Sequence, residues 1–401
     1  MALFDSKTLC NPCYFCWHGA CNTDCNGSYR WRFCVVSRGG MKIGIDLTWQ
    51  TDKPAGVETM VGEVLMELVS RKEVQLMVFV LRGSTRVYKG ISVREVRSGW
   101  LRHVDLYLMI RKESLDVLWQ VGGWLPLFFP HKLKTIQTVH DLISADHPAW
   151  FPQTGFSARW SWYMRVGRSL RRATVIHAIS HWTEKQIMRL FPDTRGKIIA
   201  AYQGVSAPDQ IRTEQIPKYI QTPFIVILGT IEPRKNIPLA CEAFLLFAQE
   251  HPDPHLVFVG KRGWKAEESL MAIETLQKAL PGRVHVEFYV THAEKWALLS
   301  GASAVLMVSH AEGFGRPLVE AMSVGTPVIA SANSAMQEVV EDAGILVPPD
   351  DVQKTARAMW RALYHPTLSD RLIELGSERA KRFSTKQMVD CVLETINKTT
   401  S

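Results

Sequence analysis

Short apolar runs alternate along this chain with longer segments in which apolar residues recur every three or four positions. The runs at 41–48, 224–228 and 304–308 are rich in aliphatic residues and have the length of strands buried in a parallel sheet. The segments at 56–68 and 237–248 have the spacing of amphipathic helices. Because strands alternate with helices in this way, the sequence predicts an α/β fold with parallel sheets.

The length and composition of the chain favour two domains. It has 401 residues, of which 46% are hydrophobic, and this suffices for two cores of ordinary size. The stretch 206–222 is polar, contains two prolines and lacks periodicity, so it predicts the linker. We therefore expect a Rossmann-like domain at 41–205 and a second one at 206–383, facing each other across a cleft.

Residues 309–327, SHAEGFGRPLVEAMSVGTP, combine two carboxylates with a glycine-bracketed loop and a helix start. Pro317 suits the first helical position and Gly325 suits a helix end, so the spacing predicts a helix over 317–324. The unpaired amides and the dipole at such a helix start attract a phosphate.

The two carboxylates of this segment are Glu312 and Glu320. Glu320 lies about one turn inside the predicted helix and could reach the paired hydroxyls of a ribose, whereas Glu312 lies in the loop before it. The alternative is a helix-capping Glu and a solvated loop Glu without any site.

A cationic loop follows the strand at 224–228. Arg234 and Lys235 lie between that strand and the helix at 237–248, which is the edge where open α/β sheets bind ligands. A guanidinium beside an ammonium can neutralise a diphosphate without a metal ion. The alternative is ordinary surface charge.

These motifs, in this order, resemble the donor half of retaining family 4 glycosyltransferases, which have the GT-B fold. The resemblance rests on LGTIEPRKN at 228–236, EGFG at 312–315 and EAM at 320–322, and it runs over most of 42–360. It implies that the last helix, 384–398, within the terminal segment 384–401, returns to the first domain.

The resemblance also implies roles for site residues. Arg234 and Lys235 would hold the donor diphosphate, Glu320 the ribose and Glu312 the transferred hexose. Backbone amides would face the sugar hydroxyls and the phosphate at three further positions, namely Phe314, Gly315 and Arg316, in the loop opened by Gly313. Residues 308–311 and Arg316 depart from the family pattern, so the donor sugar is less defined than the reaction class.

The first domain carries two further motifs of this resemblance. Gly56 matches part of a glycine-rich loop on the acceptor side, where the usual glycine pair has become Ala55-Gly56. The strand at 135–142 ends in His140-Asp141, a pair that many family members place beside the donor sugar. We expect His140 to position sugar and acceptor and Asp141 to be structural. Ser180 reads as a helix cap.

Charge is uneven between the two halves. Residues 41–205 hold 23 Lys and Arg against 14 Asp and Glu, whereas 206–401 hold 20 against 23. The segment 156–172 interleaves arginines with Trp, Tyr and Met, which is typical of helices that contact anionic lipid head groups. The alternative is a core helix with snorkelling arginines. No apolar run approaches the ~20 residues of a membrane span.

The first forty residues contain six of the eight cysteines. We expect 1–40 to be disordered or upstream sequence read as protein, with Met41 as the true start; the alternative is a zinc site, although the usual ligand pairs are incomplete. Cys241 and Cys391 read as buried thiols of a reducing cytoplasm.

The sequence therefore predicts a retaining hexosyltransferase, with GDP-mannose as the first choice of donor and a glycan or lipid-linked oligosaccharide as acceptor, acting in surface polysaccharide synthesis. It would work in the cytoplasm, on the inner face of the membrane if at all attached, without metal, cofactor or nucleic acid. UDP-glucose remains an alternative donor. A sugar-nucleotide epimerase of the same fold, a phosphorylase and a non-catalytic nucleotide-sugar scaffold remain alternative functions.

Overall fold

A computed structural model describes two parallel sheets with their helices. Apart from two short antiparallel strands, β1 (Asn22–Thr23) and β2 (Tyr29–Arg30), it describes residues 40–50, 56–86, 88, 90–152, 155–208 and 210–399. Except for these strands and Gly40, the cysteine-rich leader predicted at 1–40 lies outside the described residues, and so does Ala55.

The first sheet has seven parallel strands in the order β5-β4-β3-β6-β7-β8-β9. These are β3 (Met41–Asp46), β4 (Val74–Leu81), β5 (Ser92–Val96), β6 (Val117–Gln120), β7 (Lys134–Val139), β8 (Val175–Ala178) and β9 (Ile198–Ala200). The helices of this half are α1 (Gly56–Val69), α2 (Leu101–Glu113), α3 (Ile143–Asp146), α4 (Phe156–Arg172) and α5 (His181–Leu190).

The second sheet has six parallel strands in the order β12-β11-β10-β13-β14-β15. These are β10 (Phe224–Leu228), β11 (His255–Val259), β12 (Val284–Glu287), β13 (Ala304–Met307), β14 (Val328–Ser331) and β15 (Ile345–Val347). Its helices are α6 (Ile237–Glu250), α7 (Glu267–Ala279), α8 (His292–Gly301), α9 (Arg316–Ser323), α10 (Ser334–Val340), α11 (Val352–Tyr364) and α12 (Pro366–Ala380), and the last helix of the chain is α13 (Thr385–Lys398).

The apolar runs of the sequence form the centres of both sheets. Ile43 and Ile45 of β3 and Ile225 and Val226 of β10 are fully buried, because helices cover both faces of a parallel sheet. Burying one such side chain contributes about 1.5–3 kcal/mol. The α/β fold with parallel sheets that the alternation predicted is confirmed.

Local chemistry sets the ends of the elements. The strand predicted at 41–48 ends at Asp46, because its carboxylate accepts hydrogen bonds from the backbone N–H and the hydroxyl of Thr48, at 2.9 and 2.6 Å, and turns the chain. The helix predicted at 317–324 runs one residue earlier, at Arg316–Ser323.

The last helix lies against the first half of the chain. Apolar side chains of α13, including Met388 and Val392, are buried, and α13 contacts α1. Asp390 of α13 pairs with Arg71 directly after α1 at 2.7 Å. Between β9 and β10 the chain crosses from one sheet to the other through residues 201–223.

Helix α4 has buried side chains in its second half and exposed ones in its first half. Val166, Ser169 and Leu170 of its second half are buried, and Arg168 and Arg172 donate to the carbonyls of Leu125 and Leu127 at 2.9 and 2.7 Å. Its first half carries exposed side chains, among them Trp160 with 59% of its surface accessible. Within the described part of the chain, no helix is long and apolar enough to cross a membrane.

Candidate active site

The basic loop after β10 and the acidic loop after β13 leave the second sheet side by side, because these two strands are parallel neighbours. The backbone N–H of His310 donates to the carbonyl of Arg234 at 2.8 Å. Asn236, in a left-handed conformation with φ +54°, donates its side-chain amide to the carbonyl of Val308 at 3.1 Å. The two segments that the sequence proposed to act together are therefore bonded to each other.

Glu312 lies between the two predicted cations. Its Oε1 accepts from Lys235 Nζ at 2.6 Å, and its Oε2 pairs with a terminal nitrogen of Arg234. Burial opposes ionisation of this carboxylate, but Arg234 and Lys235 together lower the pKa of Glu312 to about 2. A diphosphate that reaches the two cations must therefore share them with Glu312.

A second carboxylate, which the sequence reasoning missed, lies on the other side of Arg234. Glu232 is 1% exposed, and its Oε1 is 2.6 Å from Arg234 Nε. Burial raises the pKa of Glu232, although Arg234 and Lys235 act against this. The sequence contains one indication of this carboxylate, because Glu232 and Pro233 directly precede Arg234 and Lys235.

Glu320 lies on α9 and is held by two cations. Lys295 Nζ and Arg316 Nε both donate to its Oε1, at 2.9 and 2.8 Å. Although burial opposes it, Lys295 and Arg316 lower the pKa of Glu320, so the carboxylate is ionised at neutral pH. Lys295 comes from α8, and the sequence pattern gave no indication that this lysine reaches the site.

The side chain of Arg316 leads away from the second sheet. Its two terminal nitrogens donate to both oxygens of Glu63 on α1, at 2.5 and 2.9 Å, and one of them also donates to the carbonyl of Gly204 at 3.1 Å. Burial raises the pKa of Glu63, against the effect of Arg316. Arg316, which departs from the family pattern, thus forms a buried ion pair between the two halves of the chain. The sequence did not predict this pair.

The glycines of the loop have separate structural reasons. A Cβ on Gly313 would lie 2.0 Å from the carbonyl oxygen of His140, so this glycine permits the close approach of the two sheets. Gly315 has φ +94° and precedes the first residue of α9, a conformation that favours glycine. Phe314 is buried and packs edge-on against Phe383 at 5.4 Å, so its side chain serves packing.

His140 is half-buried and directly follows β7. Its Nε2 donates to the carbonyl of Val121 at 2.8 Å, and because a carbonyl only accepts, this nitrogen carries the hydrogen. Burial lowers the pKa of His140, so the ring is neutral at pH 7 and Nδ1 is an acceptor. Asp141 accepts from the N–H of Ile143 at 3.1 Å, as expected for a structural residue, and its charge also acts on Arg234.

Ser180 both caps a helix and joins the two halves. Its hydroxyl accepts from the N–H of Thr183 at 3.0 Å, which confirms the cap that begins α5, and it donates to the carbonyl of Gly313 at 2.7 Å. Gly56, by contrast, opens α1, and a Cβ there would meet no atom within 4 Å. The structure therefore gives no close-packing reason for glycine at this position.

Metal ligands were not expected at this site. Over the residues that the structure describes, no group of three or more His, Cys, Asp and Glu is arranged to hold a metal ion. Cys241 is buried and Cys391 half-buried, and both are free thiols; burial raises the pKa of Cys241 to about 12.

Two family models together span both sheets. The model described as Glycosyltransferase Family 4 matches residues 54–207, and the model described as Glycosyl transferases group 1 matches residues 210–379. This chain is a family 4 glycosyltransferase. The second match contains the basic loop, α9 and the predicted carboxylates Glu312 and Glu320. The first match contains His140.

Individual relatives and a solved structure agree with this assignment. The glycosyltransferase is 29% identical over 281 residues to O-antigen chain mannosyltransferase B of Escherichia coli, covering 67% of this chain and 71% of the relative. It is 26% identical over 216 residues to O-antigen chain mannosyltransferase RfbU of Salmonella typhimurium, covering 53% and 56%. Sucrose-phosphate synthase from Thermosynechococcus elongatus superposes with a TM-score of 0.72 at 18% identity, covering 90% and 100%. The glycosyltransferase has the GT-B fold.

Proposed function

We propose that this glycosyltransferase moves a mannosyl group from GDP-mannose to a glycan or lipid-linked oligosaccharide acceptor in surface polysaccharide synthesis, with retention of configuration. The observation that carries the proposal is the direct contact between Arg234, Lys235 and Glu312 beside the amide end of α9. The names of the two mannosyltransferase relatives support the choice of mannose.

The donor diphosphate would bind to Arg234 and Lys235, which both pair with Glu312 in the loop before α9. Glu320 would accept hydrogen bonds from the ribose; the two cations that hold it both contact Oε1, and the second oxygen is the one proposed for the ribose. Glu312 would turn from the cations to the hydroxyls of the hexose. These roles follow from the family resemblance and are compatible with the observed contacts.

In the proposed reaction, the bond between C1 of the hexose and the phosphate oxygen breaks while the acceptor hydroxyl oxygen bonds to C1 from the same face. The acceptor proton passes to the leaving phosphate oxygen. Arg234, Lys235 and the amides at the start of α9 stabilise the charge that develops on the leaving diphosphate. Glu312 is assigned to the hexose hydroxyls and no other carboxylate is proposed as a nucleophile, so we propose same-face attack and not a covalent intermediate.

We also propose that the enzyme works in the cytoplasm and contacts the membrane at its periphery. The first half of α4 exposes Trp160, Tyr163 and Met164 between Arg159 and Arg165, and α4 has no acidic residue. Such a helix suits peripheral contact with anionic lipids on the inner face of the cytoplasmic membrane. Transfer without metal is also part of the proposal, since Arg234 and Lys235 can donate to the diphosphate directly.

The proposal is tested by incubating the protein with GDP-mannose, with and without an oligosaccharide acceptor, and by identifying the products. Transfer is expected only with acceptor, and Lys235→Ala is expected to slow it about a hundredfold. Lys398→Ala changes an exposed lysine on α13 and serves as the control. Epimerised sugar nucleotide from donor alone would identify an epimerase, and binding without turnover would identify a scaffold. An unchanged rate in both Lys235→Ala and Glu320→Ala would refute the assignment.

A further inference from the structure

Glu232 is a buried carboxylate for which the proposed reaction provides no role. Neither of its oxygens has a hydrogen bond of good geometry to the residues that the structure describes, and its counter-ion is Arg234, with Nε 2.6 Å from Oε1. A buried carboxylate is costly unless it is paired and hydrogen-bonded. A structural role alone therefore explains Glu232 poorly.

The charges around Arg234 balance before any donor binds. Glu232 and Glu312 supply two negative charges, and Arg234 and Lys235 supply two positive charges, all within a few ångströms. Asp141 adds a further negative charge that acts on Arg234. The diphosphate of a sugar nucleotide carries two more negative charges, so its arrival leaves the buried cluster strongly negative unless one group takes up a proton.

The neighbouring segment does not supply the missing positive charge inside the cluster. The loop between β11 and α7 packs on Glu232, because a Cβ on Gly263 would lie 3.3 Å from the Glu232 Cβ. The cations of that loop are Lys261, Arg262 and Lys265, and Lys265 donates to the carbonyl of Ala149 at 2.6 Å. Arg262 is exposed and pairs with Glu267 at 2.9 Å.

The two carboxylates beside Arg234 differ in their ability to accept a proton. Glu312 contacts both cations, and these lower its pKa to about 2. Glu232 contacts Arg234 alone, and burial raises its pKa. When the diphosphate draws Arg234 and Lys235 toward itself, Glu312 can turn to the hexose hydroxyls, whereas neither oxygen of Glu232 has another hydrogen-bond partner among the described residues, so Glu232 protonates first.

We propose that Glu232 takes up one proton from solvent when the donor diphosphate binds, and that it then orients Arg234 as a neutral hydrogen-bond acceptor. Glu232 is thus a positioning residue that acts through Arg234. The inference rests on the proposed donor site. It predicts that nucleoside diphosphates bind with net proton uptake and bind more weakly as the pH rises.

Isothermal titration calorimetry of the full chain tests this inference. GDP and, in parallel, UDP are titrated at pH 7.5, where the terminal phosphate is almost fully ionised, in two buffers of different ionisation enthalpy. We expect uptake of about half to one proton per nucleotide, and an affinity that falls by up to tenfold per pH unit. Glu232→Gln keeps the size and the acceptor oxygen, so it should bind the nucleotide without proton uptake and with little pH dependence.

Glu378→Gln is the matched control, because Glu378 is 71% exposed and pairs only at the surface with Lys381. It should keep the wild-type uptake. Uptake that persists in Glu232→Gln would assign the proton to another group, such as Glu312 or His140, and overturn the inference. Wild-type binding without proton uptake would also overturn the inference, and this outcome needs no variant. It would leave the proposed donor site uncontradicted. Failure of both GDP and UDP to bind would instead reject the donor site and this inference with it.

Discussion

Arg316 of α9 and Glu63 of α1 form a bidentate ion pair between the two halves of the enzyme, with nitrogen–oxygen distances of 2.5 and 2.9 Å. Both side chains are about nine-tenths buried. Arg316 also contacts Glu320, the carboxylate proposed to bind the ribose. The pair therefore links the relative position of the two sheets to the proposed donor site.

Removing either partner of this pair leaves a buried charge without compensation. We expect Glu63→Leu or Arg316→Leu to destabilise the protein by about 3–5 kcal/mol, whereas the double variant should lose much less. Urea denaturation of the single and double variants measures the coupling. The exposed Glu378–Lys381 pair, treated in the same way, should couple by less than about 1 kcal/mol. Strictly additive losses at Glu63 and Arg316 would contradict the interpretation.

Gly313→Ala tests the contact between the two sheet edges. The new Cβ would lie 2.0 Å from the His140 carbonyl oxygen and 2.9 Å from the Asp141 side chain, so the halves must separate. We expect a loss of transfer of at least about a hundredfold, since a misplacement of 1 Å has this effect. Gly196→Ala, where a Cβ meets no atom within 4 Å, is the control. Near-normal activity in Gly313→Ala would show that the sheets need not approach here.

Lys295→Met tests a residue that was found only in the structure. The variant keeps the length of the side chain but removes a charged hydrogen bond to Glu320 of 2.9 Å. We expect the KM for the sugar nucleotide to rise about tenfold, which corresponds to one such bond. Transfer rates at varied donor concentration measure this. Lys278→Met on α7 changes an exposed lysine and should leave the KM unaltered.

His177 predicts a pH dependence of stability. Its Nε2 donates to the carbonyl of Ala201 at 2.8 Å, and its Nδ1 therefore accepts from the hydroxyl of Thr138 at 3.1 Å. Burial lowers the pKa of His177 to about 4 in the folded protein, below its value of about 6.5 in the unfolded chain. The unfolded chain thus binds more protons, and this part of the stability is present above pH 6.5 and is lost as the pH falls toward 4.

Urea denaturation at pH 8 and pH 5 measures this effect. The His177 contribution should lower the free energy of unfolding by about 2 kcal/mol at pH 5. His177→Gln, which keeps a donor and an acceptor, should lose that part of the pH dependence. His365→Gln changes an exposed histidine at the N-cap of α12 and should keep the wild-type difference. Equal pH profiles of wild type and His177→Gln would contradict the prediction.

The sequence by itself determined the class of fold and predicted the candidate site residues. The alternation of apolar runs with helical periodicity specifies parallel sheets, because strands that are buried on both faces must be apolar throughout. Short motifs also place a residue at the end of a strand or the start of a helix, where ligands bind. Arg234, Lys235, Glu312 and Glu320 could therefore be found from local pattern together with the family resemblance.

Only the tertiary structure decided which charges meet. Glu63 and Arg316 are 253 positions apart, and Lys295 reaches Glu320 from a different helix. Each of these residues alone resembles an ordinary charged surface residue on a helix. An ion pair depends on the distance and burial of both partners, and the packing of the two sheets sets these quantities, which no local pattern encodes.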